Sequence, residues 1–256
     1  MILAQISDTH LLPKTWTDGL GAGRADNLRR CVADINRQWV DAVIHTGDSV
    51  HHGSADEYVH LREILSELEA PLFFTPGNRD RRDLVRAALE GLAPFPSGEF
   101  MHYAIEDYPV RLVALDSVSA GDRKGVFGAE RLAWLEDVLS RERKKPTVLF
   151  MHHPPFDVLP HYEGGYRHAE DAVNLSTLVG RYSQVIRLLC GHVHCLHHEP
   201  WAGTVATIMP SVAFDLRKGS ELAWGENPVY LLHRISHEGE IVSEPRGVTS
   251  PQATSI

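Results

Sequence analysis

Potential metal ligands recur in this chain directly after short apolar segments. Two groups have the patterns Asp-x-His and His-x-His, whose two polar side chains point to the same side of an extended segment. The full set is Asp8, His10, Asp48, Asn78, His152, His192 and His194. Seven ligands are more than the four that usually close a structural zinc site, so the set suits two metal ions that share a carboxylate.

The donor types indicate which ions and which reaction to expect. Imidazole, carboxylate and amide groups suit manganese, iron, cobalt or zinc better than calcium, and we expect manganese or iron. Two such ions, roughly 3.5 to 4 Å apart, can hold the attacking and leaving oxygens of a displacement at phosphorus. The predicted reaction is therefore hydrolysis of a phosphate ester.

The apolar segments that precede these residues have the lengths of buried strands. Such segments span residues 2–6, 42–45, 72–75, 111–115, 147–151 and 185–190. Stretches with helical spacing lie between them at 26–39, 54–68, 80–89, 128–141 and 171–182. This alternation predicts a layered α/β protein. Because ligand sites form at the carboxyl ends of strands in such sheets, we expect the potential ligands to converge on one site.

Two local patterns support this arrangement. Gly47, Gly77 and Gly191 each precede a potential ligand, and glycine allows the backbone to approach a bound group closely. Ser54 followed by Glu57 predicts a capping box at the start of the second helix.

The composition limits the expected partners and compartment. The net charge of this chain is −9, whereas proteins that bind a nucleic-acid backbone usually do so through clustered Lys and Arg. We therefore expect no nucleic-acid partner and disfavour a nuclease. Three cysteines make a poor disulfide framework and favour a reducing compartment. The first residues lack a basic region and read as a strand rather than a signal peptide. No segment approaches the roughly 20 apolar residues of a membrane helix, so we expect a cytoplasmic protein.

Five motifs in order carry a resemblance to a known family. They are Asp8-Thr9-His10, Gly47-Asp48, Gly77-Asn78-Arg79-Asp80, His152-His153-Pro154-Pro155 and Gly191-His192-Val193-His194. Together they resemble the calcineurin-like metallophosphoesterases, above all the class III cyclic-nucleotide phosphodiesterases and their glycerophosphodiesterase relatives. The likeness spans residues 2 to about 235 and implies a four-layer α/β/β/α sandwich.

The resemblance also implies how the ligands divide between the metals. One ion would be held by Asp8, His10 and His194, the other by Asn78, His152 and His192, and Asp48 would bridge them. A hydroxide held by the metals would attack phosphorus. We expect Asp48, Asn78, Arg79 and His153 to act directly in catalysis.

One position departs from the family pattern. Family members usually have histidine after the asparagine, where it contacts substrate or protonates the leaving group, and this chain has Arg79. Arginine is not a general acid at neutral pH, but its planar fork holds a phosphate oxygen well. We therefore expect Arg79 to bind charge, and leaving-group protonation to fall to His153, another nearby group or water.

The expected substrates are small phosphodiesters, with 3′,5′- or 2′,3′-cyclic nucleotides first and glycerophosphodiesters next. A broad phosphomonoesterase is an alternative, as is a nucleotide-sugar pyrophosphatase, because the Gly-Asn-Arg-Asp string also occurs in the lipid A pathway pyrophosphatases that cleave UDP-diacylglucosamine. A noncatalytic protein-binding scaffold would be expected to lose at least one ligand, and all seven are present.

We treat residues 1–256 as a single domain with a strand-rich C-terminal part at about 204–243. Strand signals there span 204–209, 229–235 and 240–242. The resemblance suggests that these strands and the loop 214–227 form a small cap or a homodimer contact. The loops 12–23 and 154–170 are also long for plain connections, which is typical of functional loops.

A last group of residues is divided between a substrate pocket and a purely structural role. The pocket candidates are His51, His52, His161, Tyr162 and Tyr166. Aromatic rings at such positions stack on a nucleobase or simply pack a loop. His197 and His198 are expected at the surface.

Overall fold

Two β-sheets form the centre of the computed structural model, which describes residues 1–17, 19–219 and 224–249. The strands are β1 Ile2–Ile6, β2 Ala42–His45, β3 Leu72–Phe74, β4 Tyr103–Ile105, β5 Arg111–Leu115, β6 Thr147–Met151, β7 Val185–Cys190, β8 His197–Trp201, β9 Thr204–Ile208, β10 Val229–Ile235 and β11 Ile241–Gly247. The first sheet has the order β11-β10-β1-β2-β3, and the second has the order β4-β5-β6-β7-β9-β8.

Helices cover the outer face of each sheet. They are α1 Gly19–Arg37, α2 Ala55–Leu65, α3 Arg82–Ala88, α4 Ala129–Arg141 and α5 Ala169–Val179. A 3₁₀ turn spans Phe214–Leu216. No helix in the described ranges is both long and apolar enough to cross a membrane.

Three separate apolar clusters mark the interfaces between four layers. Leu28 of α1 and Leu61 of α2 pack in one cluster with Ala4 and Val43 of the first sheet. A second cluster joins α4 and α5 to the second sheet. The third lies between the two sheets, where residues such as Ile44 and Phe150 are fully buried. The α/β/β/α sandwich expected from the sequence is confirmed.

The strand predictions agree with the structure to within one residue for all six segments that precede or separate the ligands. Sequence patterns missed β4, which has only three residues, and β8, whose Glu199 and Pro200 are typical of an edge strand.

The first helix begins earlier than predicted. Part of the expected loop 12–23 is helical, because α1 starts at Gly19 rather than near residue 26. Its glycines are poor helix formers but leave room for neighbours, since a Cβ on Gly23 would lie 2.9 Å from the Phe214 ring. Tertiary packing at this position outweighs helix propensity.

The C-terminal strands are members of the two sheets. β9 pairs with β7 and β8, whereas β10 lies between β1 and β11. Residues 220–223 of the predicted loop 214–227 lie outside the described residues. The cap or homodimer contact expected of this part stays a prediction.

A buried carboxylate fastens the C-terminal hairpin to α1. Asp34 accepts hydrogen bonds from Tyr230, at 2.8 Å, and from Arg246. Burial acts to raise the pKa of Asp34, but these hydrogen bonds outweigh it and hold the pKa below its ordinary value.

Replacing Asp34 with asparagine is expected to lower the melting temperature most at neutral pH. A depressed carboxyl pKa stabilises the fold above the unfolded pKa and loses that contribution as pH falls, so the deficit should shrink below about pH 4. Thermal melts of the unaltered protein and of Asp34→Asn at several pH values measure the difference in melting temperature. Asp26→Asn on the same helix, an exposed partner of Arg30, is the control. A deficit that does not change with pH would contradict the ion-pair explanation.

Candidate metal centre

The seven potential ligands meet where strands of both sheets end. β1, β2 and β3 run parallel in the first sheet, as do β6 and β7 in the second, so their carboxyl ends share one edge of the sandwich. Every potential ligand lies within four residues after one of these strands. The potential ligands therefore converge on one site, as the sequence predicts.

Asp48 lies between two groups of side chains. Its Oδ2 atom is 3.7 Å from Nε2 of His10, and its Oδ1 atom is 3.5 Å from Nε2 of His152. The two oxygens of one carboxylate therefore face two different histidines.

The first group contains Asp8, His10 and His194. Nε2 of His194 lies 3.2 Å from Oδ1 of Asp8 and 3.3 Å from Nε2 of His10. The three ligand atoms lie within 4.8 Å of one another, a spacing at which they could hold a metal ion.

The second group contains His152 and His192, and Asn78 follows Gly77, where a Cβ would lie 2.8 Å from Cε1 of His152. Nε2 of His152 and Nδ1 of His192 are 3.1 Å apart. Oδ1 of Asn78 is buried and has no hydrogen-bond partner among the residues that the structure describes. A buried carbonyl oxygen without a donor costs free energy unless another group binds it, and a cation at this position would do so. The donor set thus fits a metal.

Backbone strain is concentrated at the same residues. Positive φ angles occur at Asp8, His10, Asp48, His192 and His194, with values of 51°, 41°, 51°, 71° and 65°. Residues other than glycine pay for this conformation, and such strain clusters at functional sites.

Two glycines are required by close packing at the centre. A Cβ on Gly77 would lie 2.3 Å from Oδ1 of Asp48, and one on Gly191 would lie 2.6 Å from Oδ2 of Asp8. Both contacts are shorter than real Cβ atoms allow, so any larger residue would displace a potential ligand.

Two of the three potential ligands His10, His152 and His192 are neutral, as metal binding requires. Burial lowers the pKa of His10 to about 3 and that of His192 well below its ordinary value, so both rings are neutral. Burial also acts to lower the pKa of His152, but Asp48 outweighs it and raises the pKa to about 9. A metal ligand must give up such a proton, so a cation would replace it between Asp48 and His152.

Backbone carbonyls orient two of the histidines. Nδ1 of His152 lies 2.7 Å from the carbonyl oxygen of Thr46, and Nδ1 of His194 lies 3.0 Å from that of Leu216. Each Nδ1 donates its hydrogen, which leaves Nε2 as the ligand atom.

Side chains that were given no role from the sequence hold the ligand-bearing turns. Gln5 donates from its amide to Oγ1 of Thr46 and to the carbonyl of Cys190, both at 3.0 Å, and thereby ties the ends of β2 and β7. Asp80 accepts from the backbone N–H groups of Ser49 and Gly77. Both residues are close to ligands along the chain, but only the spatial pairing reveals their function.

His153 lies beside His152 and His192, and one ring nitrogen of each of these three residues lies within 4.8 Å of the others. The Nδ1 atom of His153 is 2.8 Å from Oγ of Ser117, its Nε2 atom is 3.2 Å from the carbonyl oxygen of Arg123, and the side chain is fully buried. Burial lowers its pKa to about 3. Since both ring nitrogens have protein partners, this arrangement argues against leaving-group protonation by His153.

A cleft of about 570 Å³ opens beside Asn78. Arg79, Arg81 and Arg82 lie along it. Arg81 pairs with Asp83 at 2.8 Å, and Arg82 binds the buried Asp116 through two hydrogen bonds.

Arg79 differs from its neighbours in this cleft. Its backbone N–H donates to Oδ1 of Asp48 at 2.7 Å, but across the described ranges nothing pairs with its guanidinium group. Among the described residues of the cleft, Arg79 is therefore an uncompensated cation next to the centre.

The histidines and tyrosines that the sequence offers as pocket residues differ in where they lie. His51 and His52 line the cleft, and the Tyr162 ring lies 5.1 Å from that of His192. Tyr166 is buried and donates to the carbonyl of His153, whereas His161 is exposed. On β8, His198 is exposed and His197 half-buried.

The chain is similar to known phosphoesterases over most of its length. The profile of the family described as Calcineurin-like phosphoesterase matches residues 1–196, which include all seven potential ligands. A probable glycerophosphodiester phosphodiesterase GpdQ of Arcobacter nitrofigilis is 33% identical, over 93% of this chain and 90% of that protein. The 3′,5′-cyclic adenosine monophosphate phosphodiesterase CpdA of Escherichia coli K12 is 26% identical, over 84% of this chain and 77% of that protein.

Among solved structures, a dimetal phosphatase from Danio rerio superposes with a TM-score of 0.73. The alignment covers 97% of this chain and 96% of that one at 18% identity. At this identity the likeness supports the fold.

Proposed function

The chain belongs to the calcineurin-like phosphoesterase family, and on this basis we propose that it hydrolyses small phosphodiesters at a centre of two divalent metal ions. The observation that carries the proposal is the position of Asp48, whose two oxygens face histidines of two separate groups. A carboxylate in this position is suited to bridge two ions.

The ligand assignment follows from the two groups. The first ion is assigned to Asp8, His10 and His194, the second to Asn78, His152 and His192, with Asp48 between them. When bound, such ions neutralise the charge that develops on phosphoryl oxygens and make water a better nucleophile. The mixture of imidazole, carboxylate and amide donors favours manganese or iron, with cobalt and zinc as alternatives.

Arg79 is assigned to the phosphate. Its guanidinium group, which no described residue pairs with, lies in the cleft beside Asn78, while its backbone N–H donates to Asp48. Arginine donates in a planar fork, so it can bind a non-bridging phosphate oxygen as negative charge grows during hydrolysis.

Glycerophosphodiesters are the favoured substrate class and cyclic nucleotides the second. The sequence motifs alone placed cyclic nucleotides first, but identity to the glycerophosphodiesterase is higher, 33% against 26%, and covers more of both chains. The Tyr162 ring beside His192 is the feature that supports a nucleotide as the second class, because an aromatic ring can stack on a base. Homodimer formation and a cytoplasmic location stay predictions.

The test compares hydrolysis of bis(p-nitrophenyl) phosphate and p-nitrophenyl phosphate by metal-free protein reconstituted with manganese. We expect faster turnover of the diester. Asn78→Ala is the matched control, because the Asn78 Oδ1 atom has no protein partner among the described residues and its loss should leave the fold intact.

Preference for the diester that disappears in Asn78→Ala would support the proposal. Preference for the monoester would assign the chain to the phosphomonoesterases. Inactivity with manganese, iron, cobalt and zinc alike would contradict a hydrolytic function.

A further inference from the structure

Hydrolysis of an alkyl phosphodiester needs a proton donor in the cleft. An alkoxide is a poor leaving group, so general acids accelerate its departure, typically by 10²–10⁴-fold. Arg79 does not supply a proton at neutral pH. His153 has both ring nitrogens engaged with Ser117 and Arg123.

The other titratable groups of the cleft are few. Asp80 is buried and accepts hydrogen bonds from Ser49 and Gly77, while Asp83 is paired with Arg81 at the surface. His51 packs its ring against His10, with 5.5 Å between the centroids. His52 is the remaining candidate.

A buried carboxylate binds one nitrogen of the His52 ring. Nδ1 of His52 lies 2.9 Å from Oε1 of Glu57, and the Glu57 side chain is 0% exposed. Glu57 also accepts from the backbone N–H groups of His52 and Ser54, at 3.0 Å each, so the carboxylate itself is fixed by the predicted capping box. The Nδ1–H group of His52 therefore has a permanent acceptor.

The other nitrogen of the ring is available. The His52 side chain is 53% exposed, His52 lines the cleft together with Asn78 and Arg79, and Nε2 has no partner in the described part of the chain. A carboxylate on Nδ1 orients an imidazole and points Nε2 away from itself, as in other carboxylate–histidine pairs that transfer protons.

The His52 ring is also close to the centre. Its centroid is 4.7 Å from that of His51, which in turn contacts His10. A leaving group that extends from the centre into this cleft enters the space that His52 lines together with Asn78 and Arg79, where proton transfer to it can take place.

We propose that His52, oriented by Glu57, is the general acid that protonates the leaving group, which is one of the two roles that the family resemblance implies for the histidine usually found in place of Arg79. The inference rests on the proposed function. As a new bond forms between water-derived oxygen and phosphorus, the bond from phosphorus to the leaving oxygen breaks. The leaving oxygen takes the proton from Nε2 of His52, and the neutral imidazole then regains a proton from solvent.

Two diesters whose leaving groups differ in their need for a proton distinguish a general acid from other roles of His52. p-Nitrophenolate leaves as a stable anion and needs no proton, whereas the glycerol or ethanolamine oxygen of glycerophosphoethanolamine does. The variant His52→Gln keeps a polar side chain of similar size but cannot donate a proton as an acid. Its turnover of glycerophosphoethanolamine should fall by about 10²-fold or more, while turnover of bis(p-nitrophenyl) phosphate stays close to that of the unaltered protein.

The experiment measures kcat for both diesters with the manganese-reconstituted protein, His52→Gln, and His237→Gln, an exposed histidine in the turn between β10 and β11. Thermal melts of His52→Gln show whether the variant folds, and the kinetic comparison is made on the folded protein. Equal losses on both diesters, or full activity of His52→Gln on the alkyl diester, would overturn the proposal. So would an unaltered protein that cleaves only the aryl diester. Failure of the unaltered protein on both diesters would instead refute the proposed function.

Discussion

Asp48→Asn is expected to lower kcat/KM for a phosphodiester by roughly a thousandfold, which corresponds to about 4 kcal/mol of lost transition-state stabilisation. The reason is the position of its carboxylate, which lies within 3.7 Å of His10 on one side and within 3.5 Å of His152 on the other. Asparagine keeps the size of the side chain but removes the charge and one of the two anionic oxygens. Both assigned metal positions should therefore weaken together.

The measurement combines steady-state kinetics with metal analysis of the same protein. Asp34→Asn is the matched control, since it also removes a buried, hydrogen-bonded carboxylate but lies in α1 and pairs with Tyr230 and Arg246. The control should lose stability and keep its metal content. An Asp48→Asn variant that retained both metal and activity would show that this carboxylate does not bridge two ions.

Arg79→Ala is expected to lower kcat/KM for diesters by about 10²-fold, because one charge-stabilising donor at a transition state typically contributes this much. The backbone N–H that binds Asp48 is unaffected by the substitution, so the metal content should not change. Arg79→Lys should recover only part of the rate, since lysine keeps the charge but loses the planar fork.

Arg81→Ala provides the comparison for this prediction. Arg81 lies in the same cleft but already pairs with Asp83 at the surface, so its removal should alter kinetics little. Equal kinetics of Arg79→Ala and the unaltered protein would remove Arg79 from the reaction.

Much of the centre was predictable because the relevant information is local. Each ligand follows an apolar run, as Asp48 follows β2 and His152 follows β6, and parallel strands bring such ends to one edge. Asp8 and His10 do lie at one metal position, but their positive φ angles show that a turn after β1, and not the extended segment assumed from the i, i+2 spacing, brings them together. Glycine at positions 77 and 191 was informative because a Cβ there has no room.

The remaining features depend on contacts between distant parts of the chain. His153 was expected to act directly, but the loop containing Ser117 and Arg123 occupies both its nitrogens, and no pattern near residue 153 shows that pairing. The sequence predicts the capping box of Ser54 and Glu57 but not the contact between Glu57 and the His52 ring. The early start of α1 was concealed by its glycines, whose low helix propensity is overridden by packing against Phe214.

Titration of the metal-free protein with manganese tests the central claim most directly, with bound metal and hydrolysis of bis(p-nitrophenyl) phosphate measured in the same samples. The account predicts that activity rises until two ions are bound per chain and that Asp48→Asn reaches neither the stoichiometry nor the rate. Full activity with one ion, or activity without any bound metal, would contradict it.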